Sequence, residues 1–388
     1  MYDVIVIGGG PSGLNCAYRL SQKGLNVLLL DNRPQIGKGK ICTGIVGAEA
    51  FKRFDLPSEC ILSAIQKIKV ISARGSVIEY KHPSILAYVV DRPNFDSIIA
   101  QRAVSQGTLV RKGVEASDIN VEKTKVKIVV KDKNGFLNNY FAKLAVLATG
   151  INLKLNKILG LGYPEEFLYG VNAQARLNGM KTTTVFIDSS LAPGGFAWTA
   201  PFKEGWIQIG LMTNDRPKFY FKRLCRVISR NSCLKIESTG YRPIAHGLVS
   251  KTYSDRVIVV GEAAGQVKTT TGGGIYYGLL CSEIAAHIIL KAFKKNCFNG
   301  TILSEYEKLW KREIENEIKV GYHLRQIYSK LSDWQIEGVF NLVKRNGILP
   351  KVMNKIKFDW HSDLILSLIQ TTPIGKMLKI SVSQELQS

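Results

Sequence analysis

Residues 8–13 read Gly8-Gly9-Gly10-Pro11-Ser12-Gly13, a G-x-G-x-x-G between the apolar run Tyr2–Ile7 and a helical pattern. Gly8 permits a tight turn, and Gly10 lets the backbone approach a pyrophosphate. Gly13 lets the helix pack closely on a sheet. The helix start at Pro11 and Ser12 would present free N–H groups and a partial positive charge to phosphates. The pattern continues through Ala17 and Gly24, and Asp31 closes a second strand. Its carboxylate is placed to accept from the 2′- and 3′-hydroxyls of a ribose. These residue types at this spacing predict a dinucleotide site.

A distant segment says which dinucleotide. Arg256–Ala264 reads as a buried strand ending in Gly261-Glu262, and Thr271-Gly272-Gly273-Gly274-Ile275 opens a long helix. This pair resembles the second FAD motif of flavoproteins with the p-hydroxybenzoate hydroxylase fold, usually G-D-A-A-G. There the acid binds the ribityl chain, and the helix start points at the flavin C2 carbonyl, favouring negative charge on the reduced ring. Here Glu262 stands where that family has Asp.

Within that fold the chain resembles the geranylgeranyl reductase family of FAD-dependent oxidoreductases, over about residues 1–295. Gly39-Lys40-Ile41-Cys42-Thr43-Gly44 looks like the family's K-x-C-G-G loop beside the flavin. Asp91-Arg92-Pro93-Asn94-Phe95-Asp96 matches its D-R-x-x-F-D helix start, whose Arg contacts the cofactor. Residues 193–201, from Pro193 through Phe196, Ala197, Trp198, Thr199 and Ala200 to Pro201, resemble P-x-x-Y-x-W-x-F-P, the prenyl-pocket signature. Phe196 and Ala200 depart from it, losing a hydroxyl and most of a ring. The resemblance implies FAD as cofactor and a prenyl lipid substrate held by Phe196, Trp198 and Pro201. Asn32, Ile41, Gly44, Ala116, Gly150 and Ile275 complete the expected cofactor contacts.

The implied reaction is saturation of isolated C=C bonds by hydride from reduced flavin. Such an alkene accepts hydride poorly, so a proton must arrive with it in a dry, aligned pocket. Cys42 is the candidate proton donor; the competing reading is a small side chain packed on the flavin. There is no second G-x-G-x-x-G, so electrons are expected from transient NAD(P)H or another redox protein.

The elements that position these residues follow from periodicity. Tyr2–Ile7, a helix over 12–23 and Asn26–Leu30 make a βαβ start. Residues 33–47 read as a loop, followed by a short helix near Ala48–Phe54. Strands are expected at 65–72, 76–81 and 85–90, a helix from Pro93 to Gln106, and a strand at 108–116. Residues 125–132 and 138–148 read as a hairpin around Asn134-Gly135. Residues 165–250 alternate in strand fashion. Beyond Thr301, Tyr306, Trp310, Ile314 and Ile318 share one helical face.

The expected fold is α/β, α+β overall. A Rossmann-like FAD-binding domain takes residues 1–75, 92–150 and 251–296. An inserted antiparallel β-sheet substrate domain takes 76–91 and 151–250, and a helical C-terminal region takes 297–388.

Composition bounds the rest. The chain has 388 residues and a net charge of +22, carried by dispersed lysines without an arginine-rich run. That favours anionic partners in general and gives no reason to expect nucleic acid. The seven cysteines lack any C-x-x-C pair, and the five histidines form no metal or triad pattern, so no metal site is expected. His246 reads as structural. Met1 runs directly into a strand, and the apolar stretch Ile275–Phe293 carries Glu283, His287 and Lys291. Both favour a cytoplasmic protein, with attachment to the inner membrane face left open.

Two other readings compete. One is a monooxygenase of the same fold, against which the segment 196–201 argues. The other is a basic flavin-binding factor that holds membrane or RNA through Lys344, Arg345, Lys351, Lys355, Lys357, Phe358 and Trp360. For that tail the alternative is a bundle covering the flavin domain.

Overall fold

A computed structural model describes residues 1–39, 41–231, 233–345 and 356–371. The apolar run β1 (Tyr2–Ile7) stops at glycines and leads into α1 (Pro11–Ser21), with Pro11 in the first turn, where its missing N–H costs no helix bond. β2 (Val27–Asp31) then pairs in parallel with β1, Val4 opposite Val27. The segment expected to be loop ends in β3 (Ile45–Gly47), followed by α2 (Ala48–Phe54). Next come β4 (Ile61–Ile65), β5 (Lys67–Ser72), β6 (Val77–Lys81) and β7 (Ala87–Val90). Asp91 caps α3 (Arg92–Ser105), its side chain accepting from the Asn94 N–H.

The expected single strand at 108–116 is two, β8 (Leu109–Lys112) and β9 (Val114–Val121). The break is Gly113, whose φ of +71° only glycine adopts without strain. β10 (Val126–Asp132) and β11 (Leu137–Leu147) form the hairpin around Gly135, followed by α4 (Lys154–Ile158). β12 (Glu166–Arg176), β13 (Thr183–Ile187), β14 (Phe196–Lys203) and β15 (Trp206–Thr213) follow. Then comes a helix that strand-like alternation had hidden, α5 (Pro217–Ile228). Its aromatic and β-branched residues suit a strand, but Phe221 and Leu224, three apart, bury one helical face against the sheet. The order closes with β16 (Lys235–His246), β17 (Tyr253–Ser254), β18 (Val257–Val259), α6 (Ile275–Lys294), α7 (Gly300–Lys330), α8 (Asp333–Arg345) and α9 (Ser362–Thr371).

Three sheets result among the described residues. The first runs β17-β18-β11-β1-β2-β8, parallel from β18 to β8, with β10 and β9 extending it from β11. Its strands β1, β2 and β18 bury apolar residues on both faces, as a sheet covered on both sides requires. The second runs β16-β12-β15-β14-β13-β5-β6, and the third is β3-β7-β4.

β5 therefore departs from the expected division at residue 75. Lys67–Ser72 pairs in parallel with β13, Val70 opposite Val185, so it belongs to the second sheet. β7, expected with the substrate domain, pairs with β3 and β4. Strand pairing of this kind is long-range and leaves no local mark.

α6 is long and apolar enough to cross a membrane, yet here it is wedged between α1 and α7, with twelve of its residues buried. Asn15 of α1 donates to Ser282 Oγ at 2.7 Å and to Leu279 O at 3.1 Å, fixing the helix pair. On α7, Tyr306, Trp310, Ile314 and Ile318 are all buried, the face that periodicity predicted.

Phe358 and Trp360 of the tail pack against the rest of the fold. Trp360 packs on Tyr276 with ring centroids 5.5 Å apart, and Lys268 Nζ lies 4.2 Å from the Phe358 ring centroid. They are packing residues, which removes them from the expected interfacial surface; Lys351 and Lys355 fall outside the described residues.

Candidate functional site

The glycine turn is built as its spacing requires. A Cβ on Gly8, at φ +113°, would collide with the Ala148 carbonyl, and one on Gly13 would collide with the Gly8 carbonyl. Gly10 is the N-cap of α1. Ser12 lies against Gly261 and Gly278, so the first helix start, the Gly261 turn and α6 meet at one point. Asp31 is buried. Its Oδ2 accepts from the Gly9 N–H at 2.6 Å and its Oδ1 from the Arg33 N–H at 2.8 Å. A carboxylate has about four lone-pair positions, so two backbone donors leave capacity for ribose hydroxyls. Asn32 beside it is exposed.

The opposite wall is Glu262. It is bonded through Oε2 to the Arg242 guanidinium, and its Oε1 accepts from the Ala245 N–H at 3.4 Å. The longer side chain thus reaches β16 of the second sheet, 3.8 Å from the Cβ position of Gly150. Gly261 has φ +71°, and its N–H donates to buried Gln266, which is tied in turn to Tyr306. Gly273, Gly274 and Ile275 stand at the start of α6, above Lys268 and Val267. Ala116 is a core residue with Ile7 and Leu30, beneath the nucleotide half.

Cys42 is held from three sides. Its Sγ accepts from Arg92 Nη1 at 3.1 Å and from the Gly44 N–H at 3.4 Å, and its carbonyl accepts from Asn172 Nδ2 at 3.1 Å. Arg92 also donates to buried Asp96 at 2.8 Å. Burial alone would lower the guanidinium pKa, but Asp96 and Cys42 outweigh it and raise it, so Arg92 stays charged. Gly44, at φ +70°, lets the loop lie on the Val90 carbonyl and the Arg92 stem. Ile41 packs against Gly240 on β16. Lys40 lies outside the described residues.

Strand alternation decides which residues of the second sheet face this loop. Trp198 pairs with Gly210, Gly210 with Asn172, and Asn172 with Gly240. The face shared by Phe196, Trp198, Gln208 and Asn172 is therefore turned towards Cys42. Phe196 and Trp198 rings are 5.5 Å apart, and Asn172 donates to Gln208 Oε1 at 3.1 Å. Pro201 has the other parity. It pairs with Ile207 of the core under α5, and its carbonyl accepts from Ser63, so it stands apart from the aromatic row.

The chain is similar to known proteins over most of its length. The model of the NAD(P)-binding Rossmann-like domain matches residues 6–66. Digeranylgeranylglycerophospholipid reductase 2 of Methanothermobacter thermautotrophicus is 29% identical over 352 residues, 87% of this chain and 90% of the relative. The geranylgeranyl bacteriochlorophyll reductase-like protein of Thermoplasma acidophilum has a TM-score of 0.85 at 21% identity, covering 96% of each chain. The halogenase PltM, solved in complex with FAD, has a TM-score of 0.69 at 16% identity, over 96% of this chain and 86% of that one.

The chain carries a Rossmann-like dinucleotide-binding domain and is similar over most of its length to digeranylgeranylglycerophospholipid reductases.

Three site residues were not singled out by the sequence: Asn172, Gln208 and Gly210. A Cβ at Gly210 would sit 2.5 Å from Trp198 Cζ2 and 2.5 Å from the Val171 carbonyl, so the indole occupies space that only glycine leaves. A glycine within an apolar strand was the available signal. Asn172 and Gln208 gave none, because alternation alone does not reveal which polar residues face inward.

Proposed function

We propose that this enzyme saturates C=C bonds in the chain of a prenyl lipid. The observation that carries the reading is the Asn172 contact, which ties the Cys42–Arg92 pair to the sheet face bearing Phe196 and Trp198. An acid beside the Phe196 and Trp198 rings suits an uncharged alkene. The activities for which the similar proteins are named point the same way.

FAD, when reduced, supplies the hydride. Gly8, Gly10, Gly13 and the α1 start would hold its pyrophosphate, Asp31 its ribose, and Glu262 with the α6 start its flavin end. The remaining work belongs to the chain. Cys42 Sγ holds the proton given to the second carbon of the bond. Arg92 Nη1 and the Gly44 N–H, both donating to that sulfur, support the charge left behind. Phe196 and Trp198 exclude water and align the chain, burying hydrocarbon at roughly 0.8 kcal/mol per CH₂. NAD(P)H or a redox protein reduces the flavin.

The test is a stopped-flow trace of reduced holoenzyme under argon with prenyl lipids of varying length. The expected result is flavin oxidation with product lipids heavier by two hydrogens per bond. Oxidation only after oxygen is admitted, with a hydroxylated product, would replace the reductase by a monooxygenase.

A further inference from the structure

Arg325 of α7 is only 7% exposed, yet among the described residues one guanidinium nitrogen alone has a hydrogen-bond partner: Nη1 donates to the Thr270 carbonyl at 3.2 Å. Nε and Nη2 are buried with no acceptor among the described residues. Burial lowers its pKa to about 10, which still leaves it a cation at neutral pH. His246, at the end of β16, is 6% exposed, and its Nδ1 likewise has no partner among the described residues. Both line a cavity of about 330 Å³, together with Asn214, Gln326 and Ser329. The carboxylate on its wall, Glu166, accepts from Tyr322 OH at 2.7 Å rather than from Arg325.

A buried guanidinium with idle N–H donors is costly unless an anion completes it. The fork geometry of those donors matches phosphate oxygens better than a spherical ion. The cavity also has room for such a group. Its position links it to the aromatic row. Asn214 packs against Gly194, and Tyr328 OH, one turn beyond Arg325, donates to the Gly195 carbonyl at 2.6 Å. Phe196 is the next residue.

The geometry points to a phosphate-binding pocket in which Arg325, His246 and Asn214 take the oxygens of a phosphate ester. On the proposed function, on which this assignment of source rests, the ester is the headgroup of the prenyl lipid, its chain continuing along Phe196 and Trp198. Free inorganic phosphate is the other source of the same chemistry.

Two arms separate them. In the first, holoenzyme is titrated with inorganic phosphate at constant ionic strength, with chloride as control. Thermal midpoint and the His246 ring resonance are read. Phosphate should raise the midpoint and shift the resonance, chloride should do neither, and Arg325→Met should abolish both effects while Arg325→Lys keeps part. A wild-type protein indifferent to phosphate overturns the pocket, whether or not the enzyme reduces lipids. If Arg325→Met does not fold, the wild-type titration and His246→Gln decide the same point. In the second arm, Arg325→Met should raise KM at least tenfold for a phosphate-headed prenyl lipid and leave KM for the matching prenyl alcohol unchanged. Equal effects on both substrates overturn the headgroup assignment.

Discussion

Lys268 and Asp359 form an ion pair of 2.7 Å with both side chains almost fully buried, joining the loop before α6 to the segment after α8. Lys268 also donates to the Phe358 carbonyl at 3.0 Å, and Tyr277 OH donates to the Asp359 carbonyl at 3.0 Å. Gly47 leaves space for the Asp359 carboxylate. Removing one partner strands a buried charge, so Asp359→Ala should cost about 3–5 kcal/mol. Replacing both with Met and Leu should recover much of that. Chemical denaturation of holoenzyme measures both, and an unchanged midpoint for Asp359→Ala would show the pair to be idle.

Close by, His361 Nδ1 lies 2.7 Å from Thr270 Oγ1. Burial, helped by nearby Lys268, lowers its pKa from 6.5 to about 4; burial and Arg325 do the same for His246. The folded protein therefore binds fewer protons than the unfolded chain between those values. Stability is fully present above about pH 6.5 and declines as pH falls towards about 4, by a few kcal/mol on the order expected from such shifts. Denaturation midpoints across this range should follow that slope, and His361→Asn should flatten it. An acid limb identical in the variant removes His361 from the account.

Asp31→Ala should weaken FAD binding by roughly tenfold to a hundredfold, the loss of hydrogen bonds to a charged acceptor. The turn is loosened as well, because Asp31 holds the Gly9 and Arg33 N–H groups. Quenching of flavin fluorescence on binding gives the constant. Unaltered affinity would place the ribose elsewhere.

Cys42→Ala should keep bound FAD and slow lipid-dependent flavin reoxidation by roughly a hundredfold or more, the usual contribution of a general acid. Single-turnover rates under argon decide it. If they match wild type, Cys42 is a packing residue held by Arg92.

Gly210→Val should drive the Trp198 indole out of its slot, since even a Cβ there falls 2.5 Å from the ring. Lipid turnover should drop sharply while the flavin spectrum and the slow reaction with oxygen persist. Turnover equal to wild type would mean that the Trp198 ring does not shape the substrate path.

Much of the nucleotide half was legible because its signals are local. Gly8, Gly10 and Gly13 answer to turn geometry and close approach within a few residues, and Asp31 follows at the end of the next strand. The same holds for Tyr306, Trp310, Ile314 and Ile318, whose spacing alone predicts one buried face.

The residues that surround Cys42 were settled only by tertiary pairing. Asn172, Gln208 and Trp198 share a face because β12, β15 and β14 pair in one register, and a slip of one residue would turn each outward. The parity that turns Trp198 towards the loop turns Pro201 away from it. β5 joins β13 across more than a hundred residues of chain, and α5 is a helix because a sheet face needed covering. Glu262 reached Arg242 for the same reason. Sequence carries spacing along the chain, whereas the partners of a side chain are set by which surfaces the whole fold must bury.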